Sequence, residues 1–199
     1  MGGPTMGRKC SAWVEDVGPC HQIHAKTTES RASGIARCMM AVSMAKVPST
    51  PALRALRAAR VEFEVHRYDY VERGGTRASS EALGVDEHAV IKTLVFEAGN
   101  PLIVLMHGDR EVSAKALARE LGVKSVSPCA PDVAQRHSGY KVGGTSPFGL
   151  RKALPIYAEA TIFDLARIYI NGGARGLLVS LAPDELRRTL APTLVAVAR

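Results

Sequence analysis

Two apolar runs, Val90-Ile91-Lys92-Thr93-Leu94-Val95-Phe96 and Pro101-Leu102-Ile103-Val104-Leu105-Met106, stand on either side of Gly99-Asn100. Both are of strand length, and the Gly-Asn step between them is turn chemistry, so they predict an antiparallel hairpin. Arg167 to Ile170 and Leu177 to Leu181 are a second pair of apolar runs, separated by Asn171-Gly172-Gly173-Ala174-Arg175-Gly176, and read as a second hairpin. Two hairpins commit the chain to a sheet that is at least partly antiparallel.

Helical signals fill the intervals. Thr50 followed by Pro51 is an N-cap and first helical position, and Leu53 and Leu56 with Arg54, Arg57 and Arg60 between them predict an amphipathic helix over 51–60. Val61, Phe63, Val65, Tyr68 and Tyr70 then alternate with polar residues, with a phase slip around His66-Arg67, which reads as a strand with room for a bulge. Ser79-Ser80-Glu81 leads a short helix stopped near Gly84, and Asp86 caps a further turn before Ile91. Ser113 caps a helix over Ala114 to Leu121, and Gly122 stops it. A short strand is expected over Val123 to Ser127, a helix from Pro131 to His137, a last helix from Pro183 through Leu190, and a closing strand around Leu194, Val195 and Val197. Strands and helices do not alternate strictly and no internal repeat is present, which favours an α+β domain over a doubly wound sheet.

Residues 1–46 read differently, with no sustained helical or strand periodicity. They are expected to be an irregular extension, with Met44 a possible true start and residues 47–199 the folded domain. Cys10, Cys20, His21, His24 and Cys38 are ligand types, but their spacing matches no familiar zinc site, so no metal is expected. Four cysteines without disulfide-scaffold spacing and the lack of an evident secretory leader point to a cytoplasmic protein. No stretch approaches the roughly 18 uninterrupted apolar residues of a membrane span. A formal net charge of +7 favours an anionic partner without identifying it.

Two features are candidates for chemistry. Lys92 lies within an apolar strand, where a lysine is costly unless it has a partner or a solvent-filled site; the alternative is an edge-strand lysine whose stem packs while its ammonium reaches water. Gly143-Gly144-Thr145-Ser146-Pro147-Phe148-Gly149 can expose several backbone N–H groups along one turn, suited to a phosphate or a developing oxyanion, although a plain turn is the commoner meaning of such a run. It is neither a Walker loop nor a dinucleotide fingerprint. Ser113, Ser127, Ser138 and Ser146 have no Gly-x-Ser-x-Gly context, and Cys129 has no placed histidine, so nucleophilic Ser or Cys catalysis is not expected. His66 reads as an exposed strand residue and His137 as a helix-end residue rather than as bases.

Taken in order, Thr50-Pro51, Val65-His66-x-Tyr68, Val90-Ile91-Lys92-Thr93-Leu94, Val133-Ala134-Gln135-Arg136-x-x-Gly139-Tyr140, Gly143-Gly144-Thr145-Ser146-Pro147-Phe148-Gly149 and Ile168-Tyr169-Ile170-Asn171-Gly172-Gly173-x-x-Gly176 resemble the YbaK/EbsC family, relatives of the editing domain of bacterial prolyl-tRNA synthetases. The resemblance covers roughly residues 48–199. It implies an α+β fold around a mixed, largely antiparallel, partly barrel-like sheet with surrounding helices. It also implies hydrolysis of an aminoacyl-tRNA ester without a cofactor, with Cys-tRNA(Pro) the favoured substrate and Ala- or Ser-charged tRNA, or a non-catalytic tRNA- or synthetase-binding role, as alternatives. The implied partners are the acceptor end of aminoacyl-tRNA and prolyl-tRNA synthetase, not DNA or a membrane. Carried onto this sequence, the resemblance makes Lys92 the residue that positions the tRNA end and Gly143 and Gly144 the oxyanion donors. Tyr68, Thr93, Thr145, Ser146, Pro147, Phe148, Gly149, Asn171, Gly172 and Gly173 would shape the pocket. Leu178 stands near a position where some relatives carry an acidic residue, which bears on which amino acid is removed.

Overall fold

The structure, a computed structural model, describes residues 48–199. The expectations for residues 1–46, including the Met44 start and the cysteine–histidine set, lie outside the described residues. Five helices accompany eight strands: α1 Pro51–Ala58, β1 Glu64–Arg67, α2 Gly75–Leu83, β2 Val90–Ala98, β3 Asn100–His107, α3 Ala114–Glu120, β4 Ser127–Pro128, α4 Pro131–Ser138, β5 Ile156–Glu159, β6 Ile168–Ala174, β7 Leu177–Leu181, α5 Pro183–Leu190 and β8 Thr193–Val195. The strand order is β1-β7-β6-β2-β3-β5-β8, with β4 paired to β2. Pairs β1/β7, β2/β3, β2/β4 and β6/β7 are antiparallel; β2/β6, β3/β5 and β5/β8 are parallel. The sheet is therefore mixed, within an α+β architecture.

Strand alternation sorts the apolar residues into two layers. Ile91, Val95, Ile103, Leu105, Ile168, Ile170, Leu177 and Val179 face one cluster, closed by Leu53 and Leu56 of α1, Phe148 and Leu186. Phe96, Leu102, Val104 and Met106 face the other, closed by Leu117 of α3 and by Val195 and Val197. Thr50 caps α1 as expected: its Oγ1 accepts from Leu53 N–H at 3.1 Å and donates to the Gly172 carbonyl at 2.5 Å, tying the helix to β6. Glu159, almost fully buried, accepts from Val197 and Ala198 N–H at 2.8 and 2.9 Å and so anchors the chain end.

Several local expectations are corrected. α2 begins at Gly75, four residues before Ser79, and its Gly74 cap uses no side chain. A Cβ on Gly74 would lie 2.5 Å from Ala78 Cβ, so close packing selects the start instead of a capping group. The strand expected over Val123 to Ser127 is only Ser127–Pro128; Val126 is buried, but residues 123–126 have no ladder partner. Asn171-Gly172 is not the second hairpin's turn. β6 runs on to Ala174 through an irregularity between Asn171 and Ala174, and the reversal falls at Arg175-Gly176, where Gly176 takes φ +72°. β5 went unread because its four residues follow Pro155 and pair only with distant strands.

Candidate functional site

β2 is the strand that organises the site. One of its edges is paired with β3 from Ile91 to Ala98. The other is shared, with β6 beside Val90 and Ile91 and β4 beside Phe96 and Glu97. Residues 92–94 are left without a ladder partner on that edge, and Lys92 is the first of them.

Lys92 stands on the face of Leu94 and Phe96, opposite Ile91 and Val95. Its half-buried ammonium donates to the Arg110 carbonyl. Burial pushes its pKa below the usual lysine value, while the carboxylates of Glu87, Glu111 and Asp109 act in the opposite direction. The β2/β6 ladder pairs Val90 with Tyr169 and Ile91 with Ile170, so the next residues along are Lys92 and Asn171, on one face where the ladder ends. Asn171 reaches out of that position. Its Nδ2 donates to the Gly143 carbonyl at 3.2 Å, and its Oδ1 accepts from Gly173 N–H at 2.7 Å. One asparagine thus links the lysine end of the sheet to the glycine loop.

The same face continues across β7 and β1. Leu178 pairs with both Asn171 and His66, and it is buried and apolar. His66 is not the exposed residue expected: its Nε2 lies 2.8 Å from Ser180 Oγ, and its ring meets Tyr169 edge-on with centroids 5.4 Å apart. Burial lowers its pKa, the Arg167 charge adds to that and Glu64 opposes it. Tyr68 is half-buried against Ser79 of α2, its phenol pushed upward by burial. Thr76 Oγ1 ties α2 to Glu87 Oε1 at 2.7 Å and to the Gly108 carbonyl at 3.1 Å, holding the helix beside the start of β2.

The glycine loop divides into an exposed half and a buried half. Gly143 is exposed at φ +83°, and a Cβ there would sit 2.8 Å from Tyr70 Oη, so only glycine fits. Its N–H has no hydrogen-bond partner among the described residues. Gly144 N–H donates to the Lys141 carbonyl at 2.9 Å and closes the turn, so its use as an oxyanion donor is revised: that donor is already engaged. Ser146, Pro147 and Phe148 are buried. Phe148, 1% exposed, packs in the core and is therefore a loop anchor; its side chain does not line a substrate site. Tyr140 Oη clamps the loop by donating to the Phe148 and Gly149 carbonyls at 2.6 and 3.2 Å, and burial raises its pKa to about 12.

Thr93 is also revised. Consecutive strand residues point to opposite faces, so Thr93 shares the face of Ile91 and Val95 and cannot line one pocket with Lys92. Its Oγ1 is buried without a partner. Gly172 and Gly173 serve close packing first, since a Cβ on Gly172 would meet Leu177 at 3.1 Å and one on Gly173 would meet Tyr140 at 2.9 Å. Behind the loop, a cavity of about 360 Å³ is lined by Pro51, Tyr140, Lys141, Gly144, Gly173 and Arg175 among others.

The structure thus gathers Lys92, Asn171, Gly143 and Tyr68 at one end of the sheet and sets Thr93 and Phe148 aside. No group of three or more His, Cys, Asp or Glu suited to a metal ion occurs among the described residues. The aminoacyl-tRNA editing domain model matches residues 74–189, more than half of the chain. The chain belongs to the aminoacyl-tRNA editing domain family. EbsC of Enterococcus faecalis, a candidate Cys-tRNA(Pro)/Cys-tRNA(Cys) deacylase, is 29% identical over 141 residues, which are 69% of this chain and 85% of EbsC. A proline–tRNA ligase of Nitratidesulfovibrio vulgaris is 31% identical over 122 residues, 61% of this chain but only 20% of the ligase. A solved structure described as a candidate trans-editing enzyme for prolyl tRNA synthetase matches with a TM-score of 0.68 at 19% identity, covering 77% of this chain and 99% of its own. The hypothetical protein APE2540 matches with a TM-score of 0.69 at 18% identity, covering 75% and 99%. These two structures share the fold.

Sequence reasoning missed two residues of this editing domain's rim, Tyr70 and Arg175. Alternation with polar neighbours places Tyr70 on a strand, but β1 ends at Arg67. Arg175 lay inside the presumed turn, and nothing in the local pattern distinguishes it from a solvated turn arginine. No helix among the described residues is long and apolar enough to cross a membrane.

Proposed function

We propose that this editing-domain protein acts in trans as an aminoacyl-tRNA deacylase, with Cys-tRNA(Pro) as the favoured substrate. The observation that carries the reading is the placement at one end of the sheet of Lys92, Asn171 and a Gly143 N–H that has no hydrogen-bond partner among the described residues. A cationic group for the tRNA end and a backbone donor for the ester carbonyl are what hydrolysis without a Ser or Cys nucleophile requires.

In this mechanism the Lys92 ammonium holds the ribose oxygens of the terminal nucleotide. Gly143 N–H donates to the ester carbonyl and strengthens that bond as negative charge develops in the tetrahedral intermediate. The nucleophile belongs to the substrate: the cysteinyl thiol gives its proton to water and attacks its own carbonyl as a thiolate, the C–O bond to the ribose breaks, and the ribose oxygen takes a proton back from water as it leaves. A thiolactone is released, which water opens to cysteine. No protein nucleophile is consumed, in keeping with the lack of a Ser or Cys triad. Leu178, buried beside Asn171, supports a small uncharged aminoacyl group over an acidic or basic one. The similarity to a stretch of a proline–tRNA ligase supports, as a further part of the proposal, work alongside prolyl-tRNA synthetase.

Single-turnover hydrolysis of Cys-, Ala- and Ser-charged tRNA(Pro) tests the reading. Cys-selective release is expected. Release of Ala or Ser at equal rates would remove the substrate thiol from the mechanism, and no release from any ester would leave a tRNA-binding module.

A further inference from the structure

Beyond β1 the chain leaves Tyr70 at the surface, 36% exposed, beside Gly143. Val142, 49% exposed, lies in the same loop. Arg175 joins them: its Nε donates to the Val142 carbonyl at 3.0 Å, and its guanidinium carbon lies 5.0 Å from the centroid of the Tyr70 ring. No carboxylate pairs with Arg175 or with the neighbouring Lys141 among the described residues, and both line the cavity behind the loop. The result is an aromatic surface braced by a planar cation, with unneutralised positive charge on its far side and an unused backbone donor at its edge.

We propose that Tyr70 and Arg175 form the seat of the substrate's terminal nucleotide, the base stacking on Tyr70 and Val142 and the 5′ phosphates running toward Arg175 and Lys141. This rests on the deacylase reading and deepens it by naming the residues that recognise the nucleic-acid half of the substrate. Continuity decides the occupant. Tyr70 Oη overlies Gly143, whose carbonyl binds Asn171, the neighbour of Lys92 along the sheet, so a base on Tyr70 belongs to the nucleotide bearing the ester. Every base has a π-face, so such a seat is sequence-tolerant and helps an editing enzyme grip any tRNA end. Arg175 is fixed by its bond to Val142, which reduces the side-chain freedom lost when a phosphate is bound.

The test uses an uncharged single-stranded RNA ending in 2-aminopurine, whose fluorescence is quenched on stacking, together with steady-state kinetics on charged tRNA. Quenching by the intact protein that is lost in Tyr70→Leu and kept in Tyr70→Phe is expected. In parallel, Tyr70→Leu should raise KM for aminoacyl-tRNA by roughly 5- to 160-fold, the loss of one base–aromatic stack, with a much smaller change in kcat. Arg175→Gln should weaken RNA binding and flatten its salt dependence. Equal quenching by intact protein and Tyr70→Leu, or none by either, overturns the seat. The RNA measurement does not depend on turnover, so failure of the seat is distinguishable from failure of the deacylase reading.

Discussion

The two faces of β1, β7, β6 and β2 differ in kind. On one, Ile91, Ile170, Leu177 and Val179 lie under α1, Tyr140 and Phe148 in a largely apolar layer, with the buried Thr93 hydroxyl its polar exception on β2. On the other, the same strands carry His66, Tyr169, Ser180, Asn171 and Lys92, most of them half-buried and hydrogen-bonded. The first face holds the strands together and fixes where they end. The second is what those ends display: His66, Tyr169, Asn171 and Lys92 are only partly buried, so ligand or water can reach them, while the buried Ser180 is satisfied by its hydrogen bond to His66.

The largest test of this division is Phe148→Ala. Deleting a fully buried aromatic from the apolar face should cost about 3–5 kcal/mol of stability, read as a lower denaturation midpoint in urea. A loss under about 1 kcal/mol would mean that the loop is not anchored through the core. Lys92→Ala should do the reverse, lowering single-turnover deacylation by about 100-fold, or about 2.7 kcal/mol of barrier, while leaving the urea midpoint nearly unchanged because a partly desolvated ammonium is removed. Parallel loss of stability and activity would make Lys92 a structural residue. Thr50→Val removes the cap of α1 and its bond to Gly172, with an expected cost of about 1–2 kcal/mol that spreads to the Asn171 link.

The smallest effect expected is a pH dependence. Burial lowers the pKa of His66 and His107 below the ordinary histidine value of 6.5. The unfolded chain then binds more protons than the folded one in the window between the lowered values and 6.5, so stability is full above that window and is lost as pH falls through it. Thermal unfolding followed downward from neutral pH should show a falling Tm, and His66→Asn should reduce the slope. A Tm that rises on acidification would contradict the burial of both rings.

Much of the fold is legible in local chemistry. The Thr50, Asp86 and Ser113 caps, the Gly84 and Gly122 stops, and the 90–107 hairpin all work through neighbours a few residues apart. The shortness of β4 and the presence of β5 were not legible, because each is set by a partner far along the chain; the start of α2 is set locally, by the close approach of Gly74 and Ala78, but carries no capping side chain to mark it. The site divides in the same way. Lys92 and the glycine loop stand out as a lysine in an apolar strand and a cluster of backbone-permissive residues. That Thr93 faces away from Lys92 follows from alternation alone and could have been read. That Gly144 N–H is spent on Lys141, and that Tyr70 meets Arg175, could not.

The sequence by itself determined the two hairpins, the helix caps, the +7 charge and the residue types available for ester chemistry, because these depend on local backbone preference and composition. Only the tertiary structure decided that β6 and β4 share one edge of β2 and leave Lys92 at the gap beside Asn171 and Gly143. That arrangement depends on which strands pair across long stretches of chain, and pairing is chosen by the burial of whole faces at once, a quantity that no short window of residues contains.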